Sequence, residues 1–209
     1  MNFKEFVSNI NQFKNNTLGG LNAQFRLAPK MRLKYDADKI KASNPKKAAV
    51  LALFYPDEKG KTRFLLTQRA SYNGTHSAQI SFPGGKIELS DKNLEETALR
   101  EAFEEVAIIS NKVKIIREIT DVYIPPSNFL ATPFIAYTTT RPNFIANTEV
   151  ATLIEVLLED LLDDLSVTSI NMKTSYMDNI DVPCFKLNNY IVWGATAMML
   201  NEIKELIKL

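Results

Sequence analysis

Apolar residues recur along the chain at two spacings, and the switch between them marks the elements. Phe3, Phe6, Val7, Ile10 and Phe13 fall three and four residues apart, the repeat of one helix face, which ends near Asn15 and Asn16. Residues 17 to 47 are mixed and basic and include Pro29 and Pro45, which predicts an irregular connection with at most a short helix. Ala48 to Tyr55 is a continuous apolar run of strand length. The turn Pro56-Asp57-Glu58-Lys59-Gly60 and a second strand, Arg63 to Gln68, complete a hairpin. Residues 70 to 79 are polar and read as a loop, and Ile80 to Phe82 as a short strand stopped by Pro83-Gly84-Gly85. Leu94, Ala98, Leu99, Ala102, Phe103 and Val106 share a helix face over Leu94 to Val106, with Ser90, Asp91 and Asn93 as candidate caps. Strands are expected at Val113 to Tyr123, Phe134 to Thr140 and Ala151 to Val156, with a loop at Pro125 to Asn128 and a short helix at Leu157 to Leu165. Phe185 to Leu187 and Tyr190 to Trp193 flank Asn188-Asn189 as a hairpin, and Thr196 to Ile207 is a closing helix. Mixed strands with a few helices point to a sheet covered on both faces.

The 209 residues suit one domain with a small extension, divided as an N-terminal helix and connecting segment (1–45) and a main domain (46–209). Lys plus Arg is 25 and Asp plus Glu is 24, so no global field favours a nucleic acid or a membrane surface. The one cysteine, Cys184, allows no intrachain disulfide, and without a His nearby in sequence it is not expected to be a catalytic thiol. The N-terminus lacks the apolar core of a secretory signal, and no apolar run is of membrane-spanning length. A cytoplasmic location is expected.

Chemistry concentrates in one segment. Residues 95 to 105 hold five Glu against one Arg, a local charge of −4. At ~100° per residue, Glu101, Glu104 and Glu105 fall within about 100° of helical arc. Like charges on one stripe destabilise a helix. A solvated helix face gives the same count, and alone that reading would prevail. A bound divalent cation would remove the repulsion, and Mg²⁺ prefers oxygen ligands. Phe82-Pro83-Gly84-Gly85 stands just upstream, where glycine permits close approach of a metal or phosphate and the Gly85 carbonyl is a candidate ligand.

Gly85 to Ile108, GKIELSDKNLEETALREAFEEVAI, resembles the Nudix box. Gly85, Arg100, Glu101, Ala102, Glu104, Glu105 and Ile108 match its fixed positions. Three positions depart from it. Asp91 stands for the first Glu, eight residues instead of seven precede Arg100, and Ala107 replaces a glycine, so the helix exit must differ or carry strain. The first two departures resemble the coenzyme A pyrophosphatase branch. Leu65-Leu66-Thr67, Arg69-Ala70, His76, Gln79 and the Phe-Pro-Gly-Gly resemble that branch's upstream signature, with Gly74 in place of its Arg and Ala78 in place of its Gly. Thr132-Pro133-Phe134 and the stretch from Tyr190 to Ala197 are also similar to it, so the resemblance spans roughly residues 46 to 207.

The resemblance implies a Nudix-type α/β/α sandwich with a mixed β-sheet, to which this chain adds an N-terminal helix. It implies hydrolysis of a diphosphate linkage with Mg²⁺ or Mn²⁺ held by Glu101, Glu104, Glu105 and Gly85. Arg100 and Asp91 would be structural, Asp91 as a helix cap. Glu104, Glu105 or Glu149 would take a proton from water. Arg69, His76 and Gln79 are candidate substrate contacts, although Arg69 reads equally as a strand-end ion pair and His76, the only histidine, as an idle loop residue. Trp193 reads as core. The expected substrate is a coenzyme A-like nucleotide, coenzyme A or an acyl derivative, split to 3′,5′-ADP and a phosphopantetheine product. ADP-ribose, a dinucleotide or another nucleoside diphosphate derivative is the alternative that Gly74 favours. A catalytically silent binding domain on the same fold is the third reading. No nucleic-acid or membrane partner is expected, and a homodimer stays open.

Overall fold

The computed structural model describes residues 1–70, 79–174 and 177–208, with side chains left aside at 172–174 and 177–179. The apolar run becomes β1 (Lys46–Pro56), and it is apolar throughout because both of its faces are covered. Its alternation sorts the core into two. Ala49, Leu51, Leu53 and Tyr55 cluster with Ala98, Ala102 and Val106 of α5 (Leu94–Val106). Ala52 and Phe54 cluster with Ala197, Leu200 and Ile203 of the closing helix α7 (Gly194–Lys208).

One edge of β1 pairs in parallel with β7 (Phe129–Tyr137) along its length, Lys46 facing Phe129 and Phe54 facing Tyr137. β5 (Lys114–Glu118) and β6 (Val122–Ile124) pair antiparallel with β7 beyond it. The other edge of β1 is shared. Its C-terminal end pairs with β2 (Thr62–Arg69) at Phe54 to Pro56, and its N-terminal end with β4 (Gly84–Lys86) at Ala48 to Val50. Past Phe64, β2 leaves β1 and pairs with β3 (Ile80–Ser81) and β8 (Val150–Leu157). The sheet therefore splits, and Phe82-Pro83 carries the chain across the split from β3 to β4. A second, antiparallel sheet runs β11 (Tyr190–Trp193), β10 (Met177–Leu187), β9 (Val167–Thr174).

The expected N-terminal helix is two, α1 (Phe3–Ser8) and α2 (Ile10–Asn15), broken at Asn9. Its apolar face is nonetheless buried: Phe6 stacks on Phe54 at 5.0 Å between ring centroids and lies 5.4 Å from Phe13. The stretch expected to be irregular holds α3 (Gly20–Phe25), a 3-10 turn (Lys30–Lys34) and α4 (Ala37–Ala42). Arg117 on β5 fixes the end of α2 by donating from one terminal nitrogen to the carbonyls of Phe13, Lys14 and Asn16. α3 is fixed to α7 by Glu202, fully buried, whose carboxylate accepts from Gly20 N, Gln24 Nε2 and Thr120 Oγ1. The N-terminal segment thus shares the core beneath α7.

The strand expected over Val113 to Tyr123 is two strands, because Thr120 and Asp121 leave the ladder to bond Glu202 and Thr132. The strand expected from Phe134 begins at Phe129. β9 and the first half of β10 had no expected counterpart; their polar sequence is held by mutual pairing, such as Ile170 with Val182. The short helix is α6 (Leu158–Leu162) followed by a 3-10 turn, Asp164–Ser166. Among the described residues no helix is long and apolar enough to cross a membrane.

Candidate active site

The β1–β4 register decides which backbone atoms reach the acidic helix. Leu51 N donates to Pro83 O, and Ile87 N to Lys47 O, so Pro83, Gly85 and Ile87 turn their backbone groups toward β1. Gly84 turns the other way, and its amide donates to Glu105 Oε2 at 3.1 Å. Its φ is +156°, and a Cβ there would lie 2.3 Å from Ala49 O and 2.6 Å from Val50 Cα. No side chain fits. A Cβ on Gly85 would lie 2.4 Å from the Glu101 carboxylate, which therefore rests directly on the strand. Two glycines thus receive two carboxylates. By this register Gly84, not the expected Gly85, directs its backbone to the acidic side of the strand.

Asn93, one of three candidates, caps α5, its side chain accepting from Glu96 N at 2.8 Å. Asp91 instead ties the preceding loop to the helix. It pairs two-pronged with Arg100, Nε at 2.9 Å and Nη2 at 3.0 Å, and also accepts from Glu88 N and Thr97 Oγ1. The Arg100 guanidinium holds the Asp91 carboxyl well below the usual carboxylate range. Arg100 Nη1 also reaches Glu101 at 3.0 Å and Glu104 at 3.2 Å, and Nη2 the Lys86 carbonyl at 3.0 Å. All three nitrogens of Arg100 are engaged. Ala107 takes the left-handed conformation at φ 58°, so the glycine missing from the box leaves the helix exit in place at a conformational cost.

The acidic stripe is graded in depth: Glu105 is buried, Glu101 half-buried and Glu104 exposed. Burial pushes the Glu105 carboxyl up to about 7, against the pull of the Gly84 amide and Arg69. Burial also raises Glu101, against Arg100. Arg69, at the end of β2, bridges two acids: it lies 3.3 Å from Glu105 and 2.7 Å from Glu149, in the turn before β8. Among the described residues no three acidic side chains converge at metal-ligand distance, since Arg100 and Arg69 set their directions. The donor set still suits a hard divalent cation. It is all oxygen, and its deepest carboxylate is one whose charge burial disfavours and a cation would restore.

A cavity of about 350 Å³ opens beside these groups. Its floor is the β4–β1–β7 face that lies opposite α5, with Gly84, Val50, Ala48 and Ala131 on it. Arg69 and Gln79 line it, and the Gln79 carbonyl also accepts from Arg69 N. His76, with Gly74 and Ala78, lies outside the described residues. Trp193 is half-buried in the cavity wall and is not core, because β11 ends there and α7 begins with Gly194 at φ 67°. Cys184 is buried, with its thiol pushed up by burial, which makes it unreactive. Gly84 was read from the sequence only as part of the Phe-Pro-Gly-Gly break, whereas Arg32, in the basic stretch before β1, carried no signal and escaped the sequence reading.

Residues 45–167 match the NUDIX domain family. The Nudix hydrolase NudL of Yersinia pestis (strain Pestoides F) is 32% identical over 142 residues, 68% of this chain and 70% of that protein. The Nudix hydrolase RenU of M. smegmatis superposes with a TM-score of 0.56 at 19% identity, over 78% of this chain and 86% of its own. A MutT/nudix family protein from Enterococcus faecalis gives 0.52 at 13% identity, over 85% and 71%. With its carboxylates, glycines and arginines arranged on this split sheet, the chain belongs to the Nudix hydrolases, enzymes that hydrolyse pyrophosphate bonds.

Proposed function

We propose that the chain hydrolyses the diphosphate linkage of a coenzyme A-like nucleotide, giving 3′,5′-ADP and a phosphopantetheine or acyl-phosphopantetheine product. The carrying observation is the adjacency of the cavity to the edge where Gly84, Glu105 and Arg69 meet, which supports a nucleoside bound there with its diphosphate toward the acidic stripe. The upstream residues Leu65, Leu66, Thr67, Arg69 and Gln79, read together with the Phe-Pro-Gly-Gly, support the substrate class. Glu101, Glu104 and Glu105, with the backbone at Gly84-Gly85, would hold Mg²⁺ or Mn²⁺. Such an ion supplies neutralisation of diphosphate charge and a more acidic bound water. Glu105, steadied by the Gly84 amide, takes the proton as the water oxygen bonds to phosphorus and the bridging P–O bond breaks. Glu149 shares Arg69 with Glu105 and is the alternative acceptor. Arg69 meets the diphosphate, and Arg100 and Asp91 hold the loop and the helix together.

A panel of coenzyme A, acetyl-coenzyme A, ADP-ribose and a diadenosine polyphosphate, with Mg²⁺ and mass-spectrometric product analysis, tests the assignment. Cleavage of coenzyme A to 3′,5′-ADP is expected, with loss of about a hundredfold or more in Glu105→Gln and a smaller loss in Glu149→Gln. Cleavage of ADP-ribose with coenzyme A untouched overturns the substrate class. That outcome is the second reading, which the uncharged Gly74 favours. Undiminished turnover in Glu105→Gln overturns the site.

A further inference from the structure

Part of the cavity wall comes from stretches of the chain that the family match, residues 45–167, does not include. Arg32, in the turn between α3 and α4, lines the cavity there. One of its terminal nitrogens donates to Tyr123 O at 2.6 Å and to Met198 Sδ at 3.4 Å, so β6 and α7 aim the guanidinium. The segment carrying it is itself fixed, Glu202 of α7 holding α3 and Arg117 of β5 holding α2. Arg32 is therefore a pre-positioned cation and not a wandering surface side chain.

Most of the remaining wall is apolar, with Ile80, Phe82, Ile124, Phe129 and Met199 contributing. In such surroundings a cation attracts an anion more strongly than in water. From β4 to β6 across β1 and β7 is three interstrand spacings of about 4.8 Å, roughly 14 Å of floor. A single diphosphate held at Gly84 and Arg69 does not span that floor. The volume of about 350 Å³ is at the small end of ligand sites and takes one nucleoside-sized moiety, not a whole nucleotide conjugate.

We propose that Arg32 is a specificity residue that binds a second anionic group of the substrate, a phosphate monoester on the nucleoside half, set apart from the diphosphate. The planar guanidinium matches phosphate oxygens in pairs. The proposal rests on the reading of the chain as a hydrolase of coenzyme A-like nucleotides, and its test separates the two.

Coenzyme A and 3′-dephospho-coenzyme A differ by one phosphate monoester. With the full chain and Mg²⁺, the wild type is expected to prefer coenzyme A. Arg32→Gln should raise KM for coenzyme A about 10- to 100-fold, the size of one charge-assisted pair. Its kcat, and its KM for the dephospho substrate, should stay within about threefold, and Arg32→Lys should recover part of the loss. Equal losses on both substrates, or none on coenzyme A, overturn the proposal. A second arm needs no turnover: thermal stabilisation by adenosine 3′,5′-bisphosphate against AMP. The bisphosphate should stabilise the wild type more, and Arg32→Gln should erase the difference. No bisphosphate advantage in the wild type overturns the assignment of Arg32. Failure of every substrate to be cleaved overturns the hydrolase reading alone and leaves Arg32 to be judged by the binding arm.

Discussion

Removing the Glu202 carboxylate should loosen the N-terminal segment by an amount the structure allows to be worked out. Glu202 is fully buried. Its Oε1 accepts from Gly20 N at 2.9 Å and Thr120 Oγ1 at 2.6 Å, and its Oε2 from Gln24 Nε2 at 2.9 Å. Glu202→Ala strands three donors. A buried donor without an acceptor costs about 1–3 kcal/mol. The Gly20 and Thr120 donors are only partly buried and regain water, and Gln24 keeps its bond to Thr120 O at 2.8 Å, so the low end applies to each. The total is about 3–5 kcal/mol. Glu202→Gln keeps one acceptor oxygen and sets an amide against Gln24. The remaining oxygen can still accept from Gly20 N and Thr120 Oγ1, and Gln24 Nε2 keeps its bond to Thr120 O, so one bond of the three is lost. The cost should then be only about 1–2 kcal/mol. Urea unfolding followed by the fluorescence of Trp193, the only tryptophan, measures both. A loss below about 1 kcal/mol in Glu202→Ala, or equal losses in the two variants, refutes the reasoning.

Three further outcomes follow from local geometry. At Gly84 an added methyl meets the backbone of Ala49 and Val50, whereas at Gly85 it meets only the tip of Glu101. Gly84→Ala should therefore cost about 1–3 kcal/mol of stability, and Gly85→Ala little stability but most of the metal-dependent turnover; unfolding and activity measured on both separate them. Ala107→Gly relieves a left-handed alanine and should stabilise by about 1 kcal/mol, some 2–4 °C in Tm, by calorimetry. The Arg141 guanidinium, with the Tyr55 hydroxyl, lowers the Glu155 carboxyl, so this network contributes fully above the unfolded carboxylate value of about 4.3 and fades as pH falls through the lower folded value. Glu155→Gln should be less stable than the wild type at pH 7, with the gap closing below about pH 4 in urea melts; a gap that does not change with pH contradicts the ion pair.

The sequence made the site legible where one element carried it. Leu94 to Val106 was bounded correctly because its apolar face, its cap and its acidic face all repeat at the helical period. β1, the β1–β2 hairpin and the last hairpin were legible because apolar runs met turn residues. What escaped depends on contacts far apart in the chain. The break between β5 and β6 exists because Thr120 and Asp121 find partners on α7 and β7, residues 82 and 11 positions away. Trp193 looked like core because β11 is apolar, yet the chain turns into α7 one residue later and leaves the ring in a cavity wall. Arg32 reaches that wall through Tyr123 and Met198, neither of which a local pattern can pair with it.

The two arginines that face the acidic stripe are not equivalent, and their bonding explains how one helix tolerates so many carboxylates. Arg100 is 19% exposed and engaged at every nitrogen, by Asp91, Glu101, Glu104 and the Lys86 carbonyl. Turning it toward a ligand would break a two-pronged pair with an almost buried aspartate and release the loop from the helix. Arg69 is held by less: a 3.3 Å contact to Glu105 and a bond to Glu149, whose side chain is 59% exposed. An exposed partner contributes about 0–1 kcal/mol, so Arg69 is the one that a phosphate can recruit at low cost. With a divalent cation held at Glu105, the neutralisation that Arg69 supplies there would no longer be needed, and the Arg69 guanidinium would be free to meet the diphosphate. The same exchange leaves Arg100 in place, which keeps Glu101 against Gly85 and the acidic helix in register with the glycine strand throughout.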